Sequence, residues 1–219
     1  MSRRSRSFTL RVLLAAAFGA ACIALGQIDS QDNSKSGAAS HLRMMGFLLG
    51  KNTLADVQAK LGKSAAIKCS HQEEASKEVC YVSAGTDQTK VVFEAGFSGG
   101  WKELDGYKVI AGSLERRCYR QCPRTAQVTS DVQTEGGLEL GLTREHLMTL
   151  LGTPKGIRGN TLSFQWQSRQ AMTKEQIKAE RKTFKSPVTD AYYDVQDTIE
   201  VTLANSKVVE FDVHHIVTY

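Results

Sequence analysis

Apolar and polar residues alternate with a period of two in "IEVTLA" (199–204) and "VVEFDVHHIV" (208–217). Successive side chains of an extended chain point to opposite sides, so such a run is a strand with one covered face. The polar "ANSK" between the two reads as a tight hairpin turn. Short runs rich in Val, Ile, Phe, Tyr and Thr also occur at "AAIKC", "EVCYVSA", "TKVVFEA", "YKVIAG", "KGIRG" and "TLSFQWQS", and each reads as a strand. Two stretches carry a different period. In "LLGKNTLADVQAKLGK" (48–63) and "ELGLTREHLMTLLGTP" (139–154) apolar residues recur every four positions, as on one side of a helix. Thr53 and Thr143 stand where a hydroxyl can cap the first turn, and Gly62 and Gly152 where a left-handed residue ends a helix at low cost. Helices this short need an apolar surface to lie on.

The two helical stretches correspond at a constant offset, Val57 and Leu61 with Leu147 and Leu151. Each is followed by a run of strands. The expectation is an α+β fold of two tandem repeats, each a short N-terminal helix (or helix pair) packed on an antiparallel β-meander. Repeat 1 covers 44–116 and repeat 2 covers 137–219. Between them, 117–136 reads as a disulfide-clipped linker around "RRCYRQCPRT". Residues 27–43, rich in Ser, Asp, Gln and Asn, read as a flexible leader. Repeat 2 carries an insertion at about 169–186, where Thr173 caps a helix of Lys174 to Phe184.

The N-terminus changes how the charge is read. Arg3, Arg4, Arg6 and Arg11 precede an apolar or small-residue run from Val12 to Leu25. That run is shorter than the roughly 20 residues of a membrane span and fits a secretory signal over 1–26. The expected location is periplasmic or secreted after cleavage, with lipid anchoring at Cys22 as the less favoured alternative. The whole chain has 28 Lys and Arg against 23 Asp and Glu. Without the four N-terminal arginines the balance is 24 against 23, or +1, which gives no basic footprint for nucleic acid. Neither a nucleic-acid partner nor a membrane span in the mature chain is expected.

Four further cysteines, Cys69, Cys80, Cys118 and Cys122, suit disulfides in an oxidising compartment. Three connectivities are open; pairing of near neighbours, Cys69 with Cys80 and Cys118 with Cys122, is the simplest. A metal site from these cysteines and His71 matches no standard zinc spacing. No metal or cofactor is expected.

The pentapeptide "GFSGG" (96–100) satisfies the G-x-S-x-G pattern of a hydrolase nucleophile elbow, with Ser98 as nucleophile. An elbow needs a strand running straight into a helix, yet "WKELDGYKVIAG" returns to strand pattern. Ser98 therefore reads as a turn residue, and no catalytic residue is assigned. His214 and His215, adjacent in a strand, point to opposite faces. Asp190, Asp194 and Asp197 read as a solvated turn. Phe164 and Trp166 share one face and read as core. For partner binding the candidates are the aromatics Phe97 and Trp101 beside the glycine turn, and the cations Lys174, Lys178, Arg181 and Lys182 of the insertion, which suit an acidic protein patch or anionic headgroups.

The pattern of glycine, threonine, short helix and Leu-Gly stop, "LGKNTLADVQAKLG" and "LGLTREHLMTLLG", followed by strands such as "TKVVFEA" and "DTIEVTLANSKVVEFDV", resembles small envelope proteins of the BamE/SmpA kind. Its doubling is similar to the tandem fold of β-lactamase inhibitor protein. The resemblance implies a non-enzymatic, protein-binding or envelope-assembly accessory with an envelope or secreted protein partner; the alternative is a secreted enzyme inhibitor. It transfers no binding residue.

Overall fold

A computed structural model of the chain describes residues 34–67, 77–96, 102–112, 117–184 and 191–218. Helix α1 is Ser34–Ala39, followed by the short strands β1 (Arg43–Met44) and β2 (Phe47–Leu48). Then come α2 (Leu54–Leu61), β3 (Ala66–Ile67), β4 (Lys77–Ser83), β5 (Lys90–Ala95) and β6 (Leu104–Ile110). A 3-10 turn at Arg117–Gln121 and β7 (Arg124–Thr125) lead to α3 (Arg144–Leu151). The last elements are β8 (Gly156–Arg158), β9 (Thr161–Ala171), α4 (Lys174–Phe184), β10 (Tyr192–Ala204) and β11 (Lys207–Thr218).

The expectation of two helix-plus-meander repeats is not what the chain forms. The molecule is mostly strand, and a single sheet runs β3-β4-β5-β6-β11-β10-β9-β8, with β7 joined to the outer side of β4. The decisive pairing is β6 with β11, Tyr107 opposite Val213 and Val109 opposite Phe211. It fuses the strands of both halves into one antiparallel surface. A separate three-stranded meander would leave β6 and β11 each with a row of unpaired amides and carbonyls, and pairing them removes both edges. Both short helices lie in the same core, with Val57, Leu61, Leu147 and Leu151 buried together against Tyr81, Phe93, Tyr107, Phe211 and Phe164.

Local signals hold within that larger sheet. The Thr53 hydroxyl accepts from the Asp56 amide while the Asp56 carboxylate accepts from the Thr53 amide, a reciprocal cap that satisfies two orphan donors. The Thr143 hydroxyl accepts from the His146 amide. The hairpin between β10 and β11 is a two-residue turn with Asn205 and Ser206 both at positive φ, 51° and 60°, which matches the twist of the flanking strands. Part of the stretch read as a flexible leader is ordered instead. Helix α1 occupies 34–39, Ala38 is buried, and His41 is buried with its Nδ1 2.9 Å from the Thr134 hydroxyl. Gly37 allows this close approach: a Cβ there would stand 3.0 Å from Trp166 Nε1.

The far face of β4, β5 and β6 carries a second, smaller core of Ile67, Cys80, Val82, Val92, Ile110, Tyr119 and Cys122. Here the disulfide expectation is corrected. Cys80 bonds Cys122, not Cys69, because the 3-10 turn lays Cys122 over the middle of β4. Cys118 is also disulfide-bonded; Cys69 lies outside the described residues. Cys80, Cys118 and Cys122 thus carry no free thiol.

Cys80 and Cys122 are 42 positions apart, and closing such a loop restricts the unfolded chain by about 4 kcal/mol in the chain-entropy account. The double variant Cys80→Ala, Cys122→Ala is expected to lower unfolding free energy by about 2–4 kcal/mol in urea titration. The far-ultraviolet spectrum should stay that of a β protein.

Candidate binding cleft

Strands β9, β10 and β11 are longer than their neighbours, and this extension builds the site. Pairing of β11 with β6 stops at His214 opposite Gly106, whereas β11 continues to Thr218 beside β10. On the helix-bearing side, the rows past that point are Trp166, Asp197 and His215, then Ser168, Val195 and Val217, then Gln170 and Tyr193. Helix α1 approaches the first of these rows at Trp166, and α4 meets the last at Tyr193. Two adjoining cavities of about 410 Å³ and about 310 Å³ open there, sharing Leu42, Gln170 and His215. The first runs along α1 and β9. The second lies under residues 48–51, which are tied to β6 where the Gly50 amide donates to the Leu104 carbonyl at 2.7 Å. Tyr193, buried at the end of the cleft, donates its hydroxyl to Glu180 Oε1 of α4 at 3.0 Å. Burial, reinforced by that carboxylate, pushes its phenol up to about 12.

At the floor, His215 Nδ1 sits 2.6 Å from Asp197 Oδ1. A His–Asp pair in a cleft invites comparison with a catalytic dyad, but its geometry argues otherwise. The other ring nitrogen faces Gly50, where a Cβ would come within 3.0 Å of Nε2. A general base must reach its substrate's proton with that nitrogen, and here the ring edge that carries it lies over Gly50. Gly50 has φ +72°, so both its conformation and the ring above it demand glycine.

His214 points to the opposite face, as the alternation requires. It lies 3.0 Å from Asp212 and packs over Gly106 of β6, where a Cβ would stand 2.7 Å from its Nδ1. Lys108 Nζ, directly across the seam, bonds Asp212 at 2.8 Å and lies 3.9 Å from Glu94. Burial by itself would raise Asp212, but His214 and Lys108 hold its carboxyl down at about 2. Burial would lower His214, and Asp212 instead raises it to about 9. Glu94 is pushed up to about 7 by burial, with Asp212 adding repulsion. This cluster was missed from sequence. Its only trace is a charge within each apolar run: Glu94 in "KVVFEA", Lys108 in "YKVI" and Asp212 in "VEFDV".

The sequence-derived site residues fare unequally. Lys174, Lys178, Arg181 and Lys182 form an exposed outer stripe of α4, while Gln176 lines the cleft. The Thr173 hydroxyl caps that helix by accepting from the Gln176 amide at 3.2 Å. Phe97, Trp101 and Ser98 lie outside the described residues. The flanking strands β5 and β6 pair as antiparallel neighbours, where an elbow would run from strand into helix. Phe164 is buried, with Trp166 stacked on it at 6.5 Å. Asp194 and Asp197, expected in a solvated turn, are strand residues of β10, paired with Arg169 at 3.2 Å and with His215. Asp190 lies outside the described residues. Among the described residues no group of His, Cys, Asp or Glu is placed to hold a metal ion. Nor is any helix there long and apolar enough to cross a membrane.

Two outcomes check this geometry. His214 binds its proton more tightly folded than unfolded, so its stabilisation is complete below pH 6.5 and is lost as pH rises through about 9. Glu94, also raised, adds a loss between its ordinary range and about 7. Wild-type unfolding free energy should therefore fall by about 1–3 kcal/mol from pH 6.5 to 9, and His214→Gln should remove most of that slope in denaturant titrations. Separately, Gly50→Ala should displace the His215 ring, read as loss of its amide and ring shifts by NMR, at a cost of about 1–3 kcal/mol.

Compared with known proteins, the chain matches no protein-family model, no curated protein and no solved structure.

Proposed function

We propose that this chain works outside the cytoplasm as a non-enzymatic protein-binding module, an accessory to envelope or secreted proteins. One observation carries the reading: the long strands end in an open, partly apolar cleft at whose floor the outer edge of the His215 ring faces Gly50. Apolar side chains such as Leu42, Leu48, Trp166 and Val217, with a few placed amides in Gln170 and Gln176, are what recognition needs. The disulfides of Cys80, Cys122 and Cys118 support an oxidising location, in line with the arginine-headed apolar N-terminus. The outer stripe of α4 supplies a cationic rim, which speeds encounter with an acidic partner more than it adds affinity. The capped-helix patterns around Thr53 and Thr143 are the sequence ground for likening it to BamE/SmpA-type accessories.

The test is a photo-cross-linking residue placed at Gln170, in the cleft, in intact cells, with Asn205 at the opposite end of the strands as the comparison site. A discrete envelope or secreted protein captured from Gln170 and not from Asn205 is expected. Equal capture from both sites, or none from Gln170, refutes the reading. Combined reversal of Lys174, Lys178, Arg181 and Lys182 to Glu should slow capture about tenfold at low salt and leave the melting temperature unchanged.

A further inference from the structure

We propose that the open edge of β9 takes up an extended, acidic segment of a partner protein as an added strand. This rests on the protein-binding reading and supplies its mode and the chemistry of the partner.

Strand β8 covers only the first turn of β9's outer side, pairing with Thr161, Leu162 and Ser163. β9 then runs on to Ala171. The direction of its backbone groups follows from three bonds. The Ser163 carbonyl accepts from the Lys155 amide, on the β8 side. The Asn160 carbonyl accepts from the Leu203 amide, and the Met172 amide donates to the Ala191 carbonyl, both on the β10 side. Because a strand turns successive peptide groups to alternate sides, Gln165 and Gln167 direct amide and carbonyl away from β10, toward the open side. Among the described residues no strand meets them there.

The cavity beside this edge has the matching shape. It is lined by six consecutive residues of β9, 166–171, with Ala38, Ala39 and Leu42 opposite, and it reaches across the sheet face to Val195, Asp197 and His215. A pocket confined to one sheet face touches every second residue of a strand; contact with consecutive residues of β9 means that this one also reaches over the strand's edge. Its volume of about 410 Å³ suits a few residues of extended chain. Unpaired strand amides and carbonyls are best met by another backbone, as in β-augmentation, with affinity from the ladder and specificity from pockets for alternate side chains. The apolar side chain of such a guest would enter beside Trp166 and Val195. Charge specifies the rest: residues 155–182 carry seven Lys and Arg against two Glu. An extended segment alternating apolar and acidic residues satisfies all three features.

The probe is a fluorescent decapeptide of alternating valine and glutamate, compared with its valine–lysine counterpart and with an equally acidic peptide alternating glutamate and proline. Anisotropy titration of the full chain at low salt should show the valine–glutamate peptide binding at least tenfold tighter than either. Gln167→Pro removes only an outward amide, which an edge tolerates, and should abolish binding while Gln167→Ala keeps it. Should Gln167→Pro fail to fold, hydrogen exchange on the unsubstituted chain decides: the amides of Gln165 and Gln167 gain at least tenfold protection with peptide. Equal binding by the proline peptide, unchanged binding in folded Gln167→Pro, or no added protection at these amides overturns the proposal. So does a dimer in light scattering that Gln167→Pro dissolves, since the occupant is then a second copy. If capture from Gln170 in cells persists in Gln167→Pro, the edge mode falls and the binding role stands; if Gln170 captures nothing, the role itself falls.

Discussion

The pairing of β6 with β11 is the constraint on which the rest depends. It joins the two groups of strands, and each face of the seam is held differently. On one side Tyr107, Val109, Phe211 and Val213 are fully buried against the short helices. On the other, Lys108 and Asp212 face each other in register and bond across it, with His214 and Glu94 alongside. Register in a strand pair is set by which residues tolerate each face. A slip by one position here would carry the charges into the apolar core and the aromatics out of it.

Burying four ionisable groups is expensive unless each finds a counter-charge. The alternation of signs, Glu94, Lys108, Asp212 and His214, answers that requirement, and the raised carboxyl of Glu94 shows where it is least complete. Such a cluster is better understood as fixing one alignment of two strands than as adding net stability. The cleft inherits its position from this alignment. Because β11 meets β6 only as far as His214, everything beyond belongs to the three long strands alone.

Much of the local structure was legible in the residues. The hydroxyls of Thr53, Thr143 and Thr173 cap helices where their spacing indicates, and the Asn205–Ser206 turn closes the last hairpin. Those signals are short-range and act through backbone groups a few positions away. The joining of β6 to β11 was not legible, since period-two patterning says which face of a strand is covered and nothing about which strand lies beside it. The same blindness explains the cysteines: near neighbours in sequence looked simplest, whereas the 3-10 turn carries Cys122 onto Cys80. Asp194 and Asp197 were misread as turn residues because their partners, Arg169 and His215, stand on other strands. Polar residues in a strand are recognisable only once the neighbouring strand is known.

The bond between Cys80 and Cys122 also bears on the order in which the sheet can be assembled. Both sulfurs belong to the first 122 residues, whereas β11 begins at Lys207. A chain delivered amino-end first can lock β4 under its strap long before the neighbour of β6 has been made. Through that interval β6 waits as a bare margin, and the ammonium of Lys108 in its middle discourages adhesion to foreign strands. The residue that neutralises Asp212 in the finished sheet is thus also the charge that an unfinished sheet would carry at its edge.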